Sequence, residues 1–180
     1  GGAPRRRDKG IRPRDVAAGE PAVAPATART IGEPIEAKRR PPSGYTAKFS
    51  GPFVFAAALH GGGGLGVGLD DFTDEKVLDP SFLALMDKTT VIGSERCAKL
   101  YPHALPAIVT VTLYDGTVLI EEVLDNRGGP ARPLSHDELT EKFLTNACLA
   151  LTEPEARPLA HDITRLSHLP LASPAPELRR

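Results

Sequence analysis

Tyr45-Thr-Ala-Lys-Phe-Ser-Gly-Pro-Phe-Val-Phe-Ala-Ala-Ala-Leu59 decides the fold. From Phe53 to Leu59 the stretch holds no polar side chain. A helix that is apolar on every face belongs inside a domain. Its start is punctuated: Ser50 suits the N-cap, and Gly51 and Pro52 fall in the first turn, where a missing N–H costs nothing. Gly61 is suited to the left-handed residue that ends it. A helix start directs bare amides and a partial positive charge at whatever faces it, and Lys48 lies just outside. The pattern predicts an anion pocket made of the first-turn amides, the Ser50 hydroxyl and the Lys48 ammonium. The plainer reading makes Ser50 a cap and Lys48 a solvated charge.

Around that helix the chain has 180 residues, enough for one domain or one and a half. Its 18 prolines are about twice the usual share and cluster outside the apolar stretches, which predicts long loops and loose ends. The net charge of −1, from 22 basic and 23 acidic residues, gives no field to attract nucleic acid or an anionic membrane. No apolar run approaches the ~18 residues of a bilayer span. The opening GGAPRRRDKG lacks the apolar centre of a signal peptide, and its arginine run is too short for a transit peptide. Cys97 and Cys148 make neither a disulfide framework nor a metal spacing and read as packing residues. Cytoplasm is the simplest compartment.

Upstream of the helix, residues 1–10 read as a disordered basic terminus. Residues 15–36 read as a damaged strand lined by Val16, Ala18, Ala22, Val23, Ala24 and Ile31. Gly19 and Pro21 interrupt it, which predicts an edge strand at best. Ile35 to Gly44, with Lys38, Arg39 and Arg40, reads as a basic turn exposed to solvent.

Downstream, the glycines from Gly61 to Gly68 follow a helix and lack Gly-Lys-Ser/Thr, so a phosphate loop is rejected. Thr73 and Asp79 are predicted caps of two short helices, the second with Pro80 at its first position and Phe82, Leu85 and Met86 on one face. Thr89 to Ile92 reads as a short strand. Residues 107–124 form a hairpin about Asp115-Gly116 read as a two-residue turn. That count pairs Leu113 with Val118 and Val111 with Ile120 on one face, and Thr112 with Leu119 and Thr110 with Glu121 on the other. Asn126 to Pro133 is a loop. Ser135-His-Asp-Glu138 is a capping box, followed by a stripe of Leu139, Phe143, Ala147 and Leu151. Residues 155–169 read as one more amphipathic helix, and 170–180 as a disordered tail. The fold class is α+β: a small antiparallel sheet with a central apolar helix packed on it, plus C-terminal helices.

AKFSGPF, AAAL with a glycine turn, DDFTDE, DPSFLALMDKTTV, PAIVTVTLYDGTV, NRGGP and RPLSHDELTEKF occur in one order over roughly residues 11–165. In that order they resemble the C-terminal part of the MmgE/PrpD family, which includes 2-methylcitrate dehydratase, cis-aconitate decarboxylase and iminodisuccinate epimerase. The resemblance implies an α/β lid domain over 11–133, then helices over 134–169 that return to a large helical domain absent from this sequence. It implies lyase or isomerase chemistry on small polycarboxylates by proton abstraction next to a carboxylate, with no metal or organic cofactor. The family's catalytic histidines, aspartate and lysine lie mostly in the helical domain, and none is carried onto His60, His103, His136, His161 or His168. The resemblance places the substrate-binding residues Tyr45, Lys48, Ser50 and Gly51 at the active-site wall. Phe53 stands where family members often carry tyrosine, so the hydroxyl is lost.

Three readings of function follow. In one, the chain is the lid part of such an enzyme, inactive without a helical half that a separate subunit supplies or that has been lost, with a homodimer partner as the other expected contact. In another it is a non-enzymatic remnant or interaction module. An independent small enzyme is the third and least supported. The expected ligand is a small carboxylate, with no nucleic acid and no membrane.

Overall fold

The computed structural model describes residues 11–61 and 65–164. It divides into two compact units, one ending at Leu134 and one beginning at Ser135. The first unit is α+β. Its four strands, β1 (Val16–Val23), β2 (Ile92–Gly93), β3 (Ala107–Leu113) and β4 (Val118–Val123), lie in the order β2-β1-β3-β4. The β1–β3 and β3–β4 pairs are antiparallel, and the short β1–β2 pair is parallel, so the sheet is mixed.

Seven helices accompany the sheet among the described residues: α1 (Pro25–Gly32), α2 (Ile35–Arg39), α3 (Gly44–Ala47), α4 (Gly51–His60), α5 (Asp74–Leu78), α6 (Pro80–Asp87) and α7 (Glu95–Ala98). The central apolar helix is α4. Ser50 caps it, Pro52 lies in its first turn, and Gly61 closes it at φ 91°. Phe53, Phe55, Ala56, Ala57 and Leu59 of α4 meet Phe82, Leu85 and Met86 of α6 and Val16 and Val111 of the sheet in one core. The helix is not enclosed on every side. Val54 and Ala58, one turn apart, are exposed.

Residues 15–36 correct the sequence reading twice. First, β1 is a central strand, flanked by β2 and β3. The Gly19 amide donates to Lys88 O at 3.0 Å, away from β3. By the period of two, Pro21 turns its missing N–H to that same side, where the parallel partner is short. The β3 ladder therefore loses nothing. Gly19 is no defect either: a Cβ there would lie 2.3 Å from Phe55 Cζ, so the bare backbone admits the ring. Second, the chain leaves the strand at Val23. Pro25 opens α1, and Ile31 is helical. The basic turn is helical in part as well, as α2.

The hairpin also corrects its predicted register. Thr112 pairs with Val118, Val111 with Leu119 and Thr110 with Ile120. Leu113 accepts from Gly116 N at 3.0 Å and donates to Thr117 O at 2.8 Å, enclosing Tyr114, Asp115 and Gly116 in a three-residue loop. Gly116 takes φ 85°, and Asp115 accepts from Thr117 N at 2.9 Å. The extra loop residue slips the pairing by one and exchanges the faces of β4. Leu119 joins the core beside Val109 and Leu113, whereas Val118 and Ile120 face out.

The second unit pairs α8 (His136–Ala147) with α9 (Glu153–Thr164). The capping box of Ser135 and Glu138 is made in both directions, at 3.2 and 2.8 Å. Ala156 and Ala160 are buried, while Leu139 and Leu151 of the predicted stripe are exposed. The predicted helix over 155–169 begins earlier, at Glu153, and its last five residues lie outside the described residues, as do the two predicted disordered termini. No described helix is long and apolar enough to cross a membrane.

Substituting Gly19→Ala is expected to destabilise the fold by about 3 kcal/mol, because the Phe55 ring cannot stay where it is. Adding Phe55→Leu should return part of that loss. Urea unfolding checks both, and an unchanged midpoint for the single variant would contradict the packing.

Candidate functional site

The site is built where α3 hands the chain to α4. Helix α3 has only four residues and is held from outside. Ser43 Oγ accepts from Thr46 N at 3.3 Å, and Thr46 Oγ1 accepts from Ser43 N at 3.0 Å. Asp74 Oδ1 accepts from Gly44 N at 2.7 Å. A Cβ on Gly44 would lie 2.2 Å from Phe72 O, so the Phe72–Thr73 backbone presses directly on this turn. Ala47 points inward and is buried.

The opposite side of α3 is open. Tyr45 is 68% exposed and Phe49 is 48% exposed. Their rings meet edge to face with centroids 6.0 Å apart. The Lys48 ammonium lies 5.4 Å from the Tyr45 ring centroid. That is a cation–π contact, and no hydrogen bond or ion pair to another described residue engages Lys48 Nζ. Tyr45, Lys48 and Phe49 thus form an exposed aromatic and cationic patch on a short, firmly mounted turn.

Ser50 and Gly51 belong to a different environment. Ser50 is 1% exposed, and both hydrogen-bonding roles of its hydroxyl are taken. It donates to Lys38 O at 2.5 Å and accepts from Phe53 N at 3.0 Å. Lys38 returns the grip through its ammonium, which donates to Phe49 O at 2.9 Å. Gly51 is buried where a Cβ would lie 2.5 Å from Val91 Cγ2 and 3.4 Å from Ile31. The start of α4 therefore faces the protein's own Val91 and Ile31. Of the four residues expected to bind substrate, the structure leaves Tyr45 and Lys48 at the surface and seals Ser50 and Gly51 beneath it. Phe53 is fully buried between Phe72 and Phe82, at centroid distances of 5.6 and 5.4 Å.

The basic turn, expected to be solvated, is instead a row of staples. Besides Lys38, Arg39 donates to Thr89 O at 3.0 and 3.3 Å. Arg40 pairs with Asp87 at 2.8 Å. That guanidinium holds the Asp87 carboxyl below the ordinary carboxylate range, chiefly through the hydrogen bond. The sequence reading missed Phe49, whose position beside Tyr45 follows from the four-residue spacing on a turn. It also missed Lys38, for which no local signal exists. Among the described residues no three His, Cys, Asp or Glu side chains gather as metal ligands.

The motif order and this fold agree with a match over residues 5–164 to the MmgE/PrpD C-terminal domain. The chain belongs to the MmgE/PrpD family. It is the C-terminal portion that is present. No curated protein matches the chain. Within an MmgE/PrpD C-terminal domain, the patch can offer one cation and one phenol to an anion, and it holds no buried carboxylate or imidazole to serve as base.

Ser50→Ala should lower stability by about 2 kcal/mol, since it strips both Lys38 O and Phe53 N of their partner. An unaltered urea midpoint would refute the double role. Asp87 has its folded value depressed, so its share of stability is present above the ordinary carboxylate range and is lost as pH falls through the depressed value. Acid titration of stability should flatten over that range in Asp87→Asn. An identical acid limb in both proteins would show that the Arg40 pair contributes nothing.

Proposed function

We propose that this chain is the lid part of an MmgE/PrpD-type lyase or isomerase acting on a small polycarboxylate of the 2-methylcitrate class. In this reading Lys48 and Tyr45 hold a substrate carboxylate at the lid surface. Ser50 and Gly51 act beneath them, fixing the backbone that carries Lys48. The catalytic base comes from the helical domain of the family, carried by a separate subunit. The observation that supports it most is the Lys48 ammonium, exposed, without an anionic partner among the described residues and mounted on a braced turn.

The chemistry then divides cleanly. A base removes a proton α to a carboxylate, and charge builds on the carboxylate oxygens. An ammonium already in place stabilises that charge without reorganising as it forms. Lys48 suits this task, and Tyr45 can add one O–H donor. The exposed Val54 and Ala58 of α4 give the helical domain an apolar strip to cover.

A second reading, a non-enzymatic interaction module, is favoured by one observation. Phe53 carries no hydroxyl and is sealed among aromatic rings, so the tyrosine often found at that position in the family has no counterpart here.

The test is an assay of the chain alone and mixed with a family helical domain, on methylcitrate and cis-aconitate. Turnover is expected only in the mixture. Lys48→Ala should lower kcat/KM by roughly 10- to 100-fold, the share of a charge-assisted hydrogen bond. Turnover by the chain alone, or a mixture indifferent to Lys48→Ala, would overturn the first reading. No turnover in any mixture, with stable binding of the helical domain, would favour the second.

A further inference from the structure

The ring of Phe49 stands apart from the core, although its backbone is held on both sides. The Phe49 amide donates to Thr46 O at 3.0 Å, and its carbonyl accepts from the Lys38 ammonium at 2.9 Å. The ring itself is 48% exposed. It belongs neither to the cluster around Phe53 nor to the apolar side chains packed against that cluster. Among the described residues it meets Tyr45 edge to face, with planes 66° apart. Core packing therefore does not account for a large apolar side chain at this position.

What the ring can offer follows from its neighbours. Lys48 precedes it, and the Lys48 ammonium lies 5.4 Å from the Tyr45 centroid. Tyr45 thus gives one face to the cation and keeps a phenol at its tip. Phe49 has no polar side-chain atom, so it recognises a ligand only by apolar contact and by its ring charges. The face of an aromatic ring is electron-rich and its edge electron-poor. A carboxylate over the Phe49 face would be repelled. An alkyl group there would leave water and gain dispersion contacts. Lys48 and Phe49 therefore ask different things of one ligand: an anionic oxygen at the ammonium and an uncharged carbon branch at the ring.

We infer that Phe49 is the specificity-determining residue of the patch, favouring small carboxylates with an alkyl branch close to the carboxylate that Lys48 holds. This rests on Lys48 as the carboxylate anchor proposed above, and it adds the feature of the ligand that a point charge does not distinguish.

The mounting suits selection. A freely swinging side chain would lose rotational freedom on binding and discriminate little. Here two main-chain bonds fix residue 49, and Asp74 braces the turn through Gly44 N, before any ligand arrives. The edge-to-face contact with Tyr45 restrains the ring as well. The discrimination is modest, because a branch laid on a half-exposed ring keeps one side in water.

Succinate and methylsuccinate, which differ by one methyl group beside a carboxylate, test the assignment. Each is titrated into the full chain, with binding followed through the NMR signals of the Phe49 ring and the Lys48 side chain. Methylsuccinate should bind roughly two- to fourfold more tightly, the share of one methyl group moved from water onto an apolar surface. Phe49→Ala should bring the ratio of the two affinities to about one, and Phe49→Leu should keep part of the preference. Both substitutions spare the main-chain bonds of residue 49, so the ratio reports the side chain rather than the fold. Lys48→Ala should weaken both acids alike. Equal affinities in the wild type, or a preference that Phe49→Ala leaves unchanged, would overturn the inference, and Lys48-dependent binding would still leave the anchor standing. Binding of neither acid, or binding indifferent to Lys48→Ala, would remove the anchor and the role of Phe49 with it.

Discussion

The grip of Lys38 on the start of α4 is the interaction on which the rest of the first unit depends. Its carbonyl takes the Ser50 proton and its ammonium takes the Phe49 carbonyl, so one residue closes both sides of the turn. With the turn closed, Phe53 is delivered between Phe72 and Phe82, and Phe55 reaches the bare backbone of Gly19. Helix position, sheet contact and the outward direction of Lys48 all follow from that closure. A hydroxyl with two partners in a buried place is costly to disturb, because each partner is then left without water or protein to replace it. That makes the segment rigid where it carries Lys48.

Much of the helical punctuation was legible because it is local. Ser50, Thr73, Asp79 and Ser135 each accept from an amide two or three residues ahead, and a reader of the sequence sees both ends of the bond. What escaped depends on partners far along the chain. Pro21 looks fatal to a central strand until the short β2 is known to lie on its bare side. Gly19 looks like weakness until Phe55 is placed against it. The hairpin failed by one residue for a subtler reason: Asp-Gly serves a two-residue turn and a three-residue turn alike, and only the Leu113–Thr117 closure tells them apart.

The candidate site shows the same division. A cap motif beside a lysine correctly announces a helix start, but a helix start is a ligand site only if nothing from the protein fills it. Here Val91 and Ile31 fill it. The dipole and amides of α4 are spent inside the domain, and the accessible charge is the side chain that precedes them. Tyr45 and Lys48 were in view from the outset as sequence neighbours. Their separation from Ser50 and Gly51 by burial was not, because burial is decided by residues 31 and 91.

An apolar helix with two exposed residues carries one more implication. The sequence of α4 is apolar all round, which suits a helix covered on every side. In the described residues, Val54 and Ala58 remain uncovered one turn apart, and Phe49 stands exposed just before the helix begins. Exposed apolar residues scattered singly need no explanation, but a helix with no polar side chain on its outer side is different. A surface helix would gain from a polar substitution at either position at no cost to packing. The residues actually there are those a covered helix would have. In the proposed lid reading, a partner surface laid over α4 would remove both side chains from water, which is the burial their composition suits.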